Sequence, residues 1–415
     1  MAARDNSLAR RIRSTGGTLL RRLNLLPGGT PDGLGDDEQL ADAVLDGDVI
    51  VYFPDTRDSL YQIRGWYGPL LALHEEMGVT VVCMDSRTAA TIRAELPVPV
   101  VTVARDATLD ALILRSEIRL VLYVNYNPMN MAALRARSVV HVSLLHGDSD
   151  KGVSVSNQVK AYDFSFVAGQ AAVDRYARYT ALFDAATRCI PVGRPALDTQ
   201  PRPEHSPGRP PRVLYAPTWE GGQASVAYSS LPDLGPTIIG SLLDAGIRVI
   251  YRPHPLTGVR VAAFGEADAR LRALIEPADG SFVSQDRELW EDFVEADLLL
   301  CDVSAVANDW LPTGRPLIIT RPSGIGTHEA RTELLDVVPR LEAAQATAAG
   351  TIVQEQIAQD PAREERLALT EYYLGDTSPG AALSRFLAAC RDLAELRDRQ
   401  WSRILANEAD HGENE

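Results

Sequence analysis

The most restrictive feature of this chain is an alternation between two kinds of segment. Short β-branched runs, DVIVYF (48–53), VTVVCM (79–84), VPVVTV (98–103), RLVLYV (119–124), SVVHVSLL (138–145) and DFSFVA (163–168), are separated by longer amphipathic stretches. Strands apolar on both faces belong to a parallel sheet covered by helices on both sides. The pattern breaks at 201–211, PRPEHSPGRPP, whose five prolines leave room for neither a helix nor a central strand. It then restarts with RVLYA (212–216), IRVIY (247–251), ADLLLCD (296–302) and RPLIIT (315–320), with helical periodicity over 234–245, 259–275, 305–311 and 362–373. The sequence therefore predicts two consecutive doubly wound α/β domains with a cleft between them. The expected divisions are an arm at 1–35, a first domain at 36–200, a linker at 201–211, a second domain at 212–378, and a C-terminal helix with an acidic tail at 379–415.

With 45% hydrophobic residues, each domain is large enough to bury a core without cross-links. A formal charge of −15 speaks against a nucleic-acid coat, whose affinity comes from Lys and Arg neutralising phosphates. Cys83, Cys189, Cys301 and Cys390 are scattered singly and read as buried reduced thiols of a cytosolic protein. No run of 18 apolar residues and no secretory signal pattern is present, so neither a transmembrane span nor export is expected. The N-terminal arm carries Leu8, Ile12, Leu19, Leu23 and Leu26 at helical spacing, interleaved with Arg10, Arg11, Arg13, Arg21 and Arg22. Two readings stay open: a basic helix lying on an anionic membrane surface through residues 1–26, or a flexible arm, because Gly16 and Gly17 weaken the helix.

Four segments carry side chains suited to chemistry. In LLHGDSDK, residues 144–151, a strand ends in a polar turn, the place where open α/β sheets bind ligands. His146 is the side chain there that takes a proton near neutral pH, with Asp148 or Asp150 to orient it and Gly147 to let the backbone turn; the alternative is a histidine that caps the strand. His141, inside the strand, reads as structural. Ser154, Ser156, Asn157 and Lys160 extend the polar cluster, and Lys151 and Lys160 are the only lysines in the chain, suited either to a phosphorylated ligand or to a solvated surface.

In YRPHP, residues 251–255, two prolines stiffen a strand end and fix Arg252 and His254, which suits a developing negative charge on phosphate; an incidental proline turn is the alternative. In the third segment, 297–316, a buried strand leads to Asp302, Ser304 and Asp309, with Ser304 placed as a helix N-cap. The fourth, 214–231, is a long loop offering Thr218, Ser229, Ser230 and the aromatic surface of Trp219. Gly324-Ile325-Gly326 does not complete a dinucleotide fingerprint, since position 329 is Glu. Walker, H-E-x-x-H and G-x-S-x-G motifs are missing and the histidines lack metal-ligand spacing, so no metal and no cofactor is expected.

HGDSDK, APTWEG, RPHP, DVSAVANDWLPTGRP and YYLGDTSPG (372–380), in this order and spacing, together resemble the CDP-glycerol glycerophosphotransferase family of teichoic-acid synthesis. The resemblance spans roughly 140–390 and implies a GT-B fold, two Rossmann-like doubly wound domains facing across a cleft. It further implies transfer of glycerol phosphate, or a related polyol phosphate, from a CDP-activated donor to a hydroxyl of a lipid-linked or glycan acceptor, with release of CMP. Carried over, it makes His146 the base, with Gly147, Asp148, Asp150 and Lys151 on the acceptor side. Arg252 and His254 stabilise the pyrophosphate, while Thr218, Trp219, Asp302, Ser304, Asp309, Asp376 and Gly380 belong to the donor site. The cysteine usage, the basic arm and the net charge together give the expectation of a cytoplasmic protein, peripheral on the inner face of the membrane if the arm binds it, without a nucleic-acid partner. The family has two serines where this chain has Ser304-Ala305, and RPSGIGTHEARTELLD departs from its pattern after PLIIT, which leaves the donor's polyol open. A GT-B glycosyltransferase using a nucleotide sugar and a non-catalytic nucleotide-binding GT-B protein are the alternatives.

Overall fold

A computed structural model describes residues 36–103, 105–150, 156–200, 210–221, 228–284, 287–322 and 331–412. The basic arm, Lys151, Ser154, most of the proline-rich linker, Gly324-Ile325-Gly326 and the end of the acidic tail lie outside the described residues.

The first sheet has seven strands in the order β3-β2-β1-β4-β5-β6-β7. They are β1 (Val49–Phe53), β2 (Val79–Cys83), β3 (Val100–Thr102), β4 (Leu120–Tyr123), β5 (Val140–Ser143), β6 (Phe164–Val167) and β7 (Cys189–Pro191). The second sheet runs β10-β9-β8-β11-β12-β13. Its strands are β8 (Arg212–Ala216), β9 (Arg248–Tyr251), β10 (Phe282–Val283), β11 (Leu298–Cys301), β12 (Leu317–Thr320) and β13 (Arg340–Leu341). All its pairings are parallel, as are those among β1 to β6. Ten of the strands fall inside the apolar runs of the sequence. The other three, β7, β10 and β13, were not expected: with two or three residues each they are too short to carry a periodic signal.

Burial explains the absence of polar alternation. Every residue of β1 and β2 is buried. In the second sheet, Val213 and Tyr215 of β8 pack with Ile238, Leu242 and Val249 in one core, while Leu214 and Ala216 pack with Leu299, Trp310 and Tyr373 in another. Successive side chains of a strand point to opposite faces, so a sheet with a core on each face needs apolar residues at every position.

Both sheets reverse direction in the same way. The chain builds β1, β2 and β3 outward, then returns to lay β4 against β1; β8, β9 and β10 are followed by β11 against β8. Each sheet therefore has a topological switch point at the carboxyl ends of those two strands.

Contacts divide the chain into two compact units, Met1–His146 with Gln158–Ser165 and Leu387–Glu415, and Gly147–Asn157 with Phe166–Phe386. Residues 166–200 thus group with the second unit, not with the first domain where the sequence put them. The reason is local: a Cβ on Gly169 would lie 2.5 Å from the carbonyl oxygen of Tyr373, and Arg175 and Arg194 make ion pairs inside the second unit. The last helix, Ala381–Gly412, covers the expected C-terminal helix. Among the described residues no helix is long and apolar enough to cross a membrane. All four cysteines are buried and none is in a disulfide, and burial pushes the Cys83 and Cys189 thiols up to about 12.

Candidate functional site

At the second switch point, β8 runs out at Ala216 and β11 at Cys301, so Thr218 and Asp302 follow neighbouring strands. Asp302 is fully buried. Its Oδ2 accepts from the Thr218 amide at 2.7 Å, and its Oδ1 accepts from the Ser230 amide at 3.1 Å and from the Thr320 hydroxyl. Burial raises its pKa, and these hydrogen bonds pull in the opposite direction. Asp302, expected among the donor-contacting groups, is a clasp that joins both ends of the 218–230 loop to β11 and β12.

That loop is fixed a second time. Glu220 is buried and accepts from the amides of Gly258 (3.2 Å), Arg260 (2.8 Å) and Val261 (3.2 Å). These amides precede the helix Ala262–Ile275, where unsatisfied N–H groups favour a carboxylate. The Trp219 ring stacks on His254 at 6.0 Å and 22°, and the Arg260 guanidinium lies 5.1 Å from the same indole. Sequence-distant loops thus form one aromatic and cationic surface.

Arg252 follows β9, and its backbone N–H donates to Tyr215 O at 2.9 Å. Its Nη1 donates to Asp292 Oδ2 at 2.7 Å and to Ser284 Oγ at 3.1 Å. Asp292 is fully enclosed while the arginine is 26% exposed, so one edge of the guanidinium is anchored. Its Nε and Nη2 have no acceptor among the described residues. His254 Nδ1 accepts the Leu256 amide at 3.1 Å, which leaves the proton of the neutral ring on Nε2. The open edge of the Arg252 guanidinium offers N–H donors to an anion, the chemistry that a leaving pyrophosphate needs.

Ser304 occupies the N-cap position of the helix Ala305–Trp310, but it makes no capping bond and its buried Oγ has no partner among the described residues. Asp309 lies on that helix and is held by Arg194 through two hydrogen bonds, Nε to Oδ1 at 2.7 Å and Nη2 to Oδ2 at 3.0 Å. Burial lowers the Arg194 pKa, but Asp309 outweighs it and the net direction is up. Arg194, Asp309 and Asp376 line a cavity of about 160 Å³ together with Trp290, Phe293 and Leu374. Asp376 is exposed, with Oδ1 accepting the Ser378 amide at 2.8 Å, and Gly380 has φ +80°.

His146 stands exposed just past β5 in the first unit. Leu145 before it has φ +55°, an uncommon conformation for a side-chain-bearing residue. The Trp66 indole N–H donates to Leu145 O at 2.6 Å, and the Tyr61 ring meets the imidazole edge-on at 5.8 Å. Asp148 and Asp150 differ from expectation: Arg175 engages both, and Asp150 Oδ2 also accepts from Thr332 Oγ1 at 2.6 Å and Tyr373 Oη at 2.9 Å. They are buried members of an ion network, because a buried carboxylate without a cation is costly and Arg175 supplies one. Gly147 is required for space, as a Cβ there would lie 2.8 Å from the Ala305 Cβ. Trp66, Arg175, Arg194, Glu220 and Asp292 were missed in the sequence, since each acts through a partner far along the chain.

Two parallel-sheet α/β units with polar side chains at the strand carboxyl ends define the GT-B class. The chain is similar to the wall teichoic acid polymerase TagF soaked with CDPG, with a TM-score of 0.55 and 14% identity over 96% of this chain and 98% of that one. It is equally similar to a putative UDP-N-acetylglucosamine 2-epimerase from Listeria monocytogenes, at TM-score 0.55 and 12% identity over 84% and 96% of the two chains. Alr3699/HepE of Anabaena in complex with UDP and glucose gives 0.53 and 11% over 84% and 100%. At such identities these likenesses establish the fold, which several chemistries share. The sequence model of the CDP-Glycerol:Poly(glycerophosphate) glycerophosphotransferase family matches residues 125–324, just under half of the chain, so the resemblance read from the motifs is borne out. The matched stretch contains His146, Thr218, Arg252, His254, Ser304 and Asp309 and ends before Asp376 and Gly380. No curated protein sequence matches the chain.

Proposed function

We propose that the protein transfers glycerol phosphate, or a related polyol phosphate, from a CDP-activated donor to an acceptor hydroxyl in the synthesis of a teichoic-acid-like surface polymer. The observation that carries this reading is the Arg252 guanidinium, anchored on Asp292 at the end of β9 with Nε and Nη2 facing no acceptor among the described residues, beside His254 and inside the family-matched segment. His146 takes the proton of the acceptor hydroxyl as its oxygen bonds to the polyol-bearing phosphorus. The bond from that phosphorus to the bridging oxygen breaks, and CMP leaves with the bridging oxygen and its electron pair. Arg252 and His254 neutralise the charge that builds on the leaving group. Trp219 supplies an aromatic face for the donor, and the basic arm at 1–26 holds the enzyme on an anionic membrane where a lipid-linked acceptor resides.

The test is nucleotide release by purified protein from CDP-glycerol, CDP-ribitol and UDP- or GDP-sugars, each with and without envelope lipid. CMP formed only with a CDP-polyol and acceptor is the expected result, and His146→Ala should lower kcat by about 100-fold or more while donor binding persists. UDP or GDP release would replace this reading with sugar transfer. CDP binding without any turnover in the presence of acceptor would make the protein a non-catalytic binder.

A further inference from the structure

The first sheet has its own switch point, at the ends of β1 and β4. Ligands of open α/β sheets bind at that position, and here it holds a polar cluster assembled from three segments of one unit. Asp55 lies two residues past β1, while Asn125 and Asn127 lie two and four past β4. Asp55 Oδ2 accepts from Asn125 Nδ2 at 2.5 Å and from Asn127 Nδ2 at 2.8 Å. Asn125 Nδ2 also donates to Gln62 Oε1 at 2.5 Å, and Gln62 Nε2 donates to Tyr61 Oη at 3.2 Å. Tyr61 carries the cluster to His146, whose ring it meets edge-on at 5.8 Å.

The amides are themselves fixed. Asn127 Oδ1 accepts the Met129 amide at 2.8 Å, and the Asn125 carbonyl accepts from Asn130 Nδ2 at 2.8 Å. Two oriented amides therefore hold one oxygen of Asp55 and leave the other, Oδ1, with no hydrogen-bond donor among the described residues. The residue is half-buried, so that oxygen is not sealed in. A carboxylate is an acceptor only: its ligand must donate, as a hydroxyl does, and a phosphate placed against it is repelled.

We infer that Asp55, held by Asn125 and Asn127, is an acceptor-reading subsite whose Oδ1 accepts a hydrogen bond from a second hydroxyl of the polyol or sugar that reacts at His146. The crevice takes the diol end of the acceptor and turns its phosphate away. This rests on the proposed function only in identifying the ligand as the acceptor, and binding can be measured without turnover.

The experiment compares glycerol 1-phosphate with 3-hydroxypropyl phosphate, which lacks the middle hydroxyl, by ligand-observed NMR on the full chain without donor. Expected are a preference of tenfold or more for the diol, its collapse towards unity in Asp55→Asn, and an unchanged melting temperature. With CDP-glycerol and a glycerol-phosphate acceptor, Asp55→Asn should raise the acceptor KM at least tenfold and leave the donor KM within twofold. No binding of the diol to the wild type, or an equal preference in wild type and variant, overturns the subsite. If Asp55→Asn does not fold, Gln62→Ala, which frees the Asn125 amide, takes its place with the same expectation. Loss of diol preference in a protein that uses no CDP donor would leave the subsite standing and remove the proposed function. Donor turnover with the preference intact in the variant would do the reverse.

Discussion

His141 and His146 stand five residues apart and have opposite fates. His141, buried within β5, engages Tyr123 Oη through Nδ1 at 2.9 Å and Ala136 O through Nε2 at 2.9 Å. A carbonyl only accepts, so Nε2 carries the proton and Nδ1 accepts from the tyrosine. Burial pushes the His141 pKa below the usual value, against the weaker pull of the Ala136 carbonyl and Asp163. The unfolded chain therefore binds this proton more readily than the folded one. The stability involved is fully present above the unfolded pKa of about 6.5 and is lost as pH falls from there towards the lowered folded value. Thermal melting between pH 8 and pH 5 should show a declining acid limb, with a slope of up to about 1.4 kcal/mol per pH unit from this group, and His141→Gln should flatten it. An acid limb that is identical in the variant would assign the effect elsewhere. The different surroundings of the two histidines, one buried and one exposed, were legible in the sequence because position relative to an apolar run separates a strand residue from one that trails it.

At the scale of elements, the strands were legible and the ties between loops were not. An apolar run of five residues announces a buried strand wherever it occurs, whereas Glu220 gains its role only when 258–261 arrives beside it. The same holds for Asp148 and Asp150, whose ion pairs with Arg175 bridge 27 and 25 residues of sequence. Asp55 and Asn125 sit just past the two strands at which the sheet reverses its order, but the order of strands is not written in their composition. Glu220→Ala should leave three amides without their acceptor and destabilise the second unit by about 3 kcal/mol in denaturant unfolding, hydrogen bonds to a charged group being the stronger kind. Hydrogen exchange should quicken at 258–261, and the donor KM should rise as Trp219 and His254 lose their register. Unaltered exchange at those amides would show that the loop is held by other means.

For the whole molecule, the two doubly wound sheets follow from the proline-rich break at 201–211 and the renewed alternation after it. The grouping of 166–200 with the second unit does not, because it depends on ion pairs and a glycine contact that sequence spacing leaves silent. The arm supplies a prediction at this scale. Deletion of residues 1–26 should release the protein from anionic vesicles in a flotation assay, and the intact chain should come off progressively as salt screens its arginines. Full retention of the truncated protein would exclude the arm as the anchor.

The clasp at Asp302 also sets an order of events in time. It reaches back 84 and 72 residues along the chain, to Thr218 and Ser230, and both bonds wait until β11 has docked on β8. Closing so long a loop carries an entropy cost that local helices do not bear. A nascent chain that has emerged only as far as β10 carries Thr218 and Trp219 without the group that places them. The surface around Thr218 and Trp219 is thus among the late acquisitions of folding, formed only with the closing of the sheet.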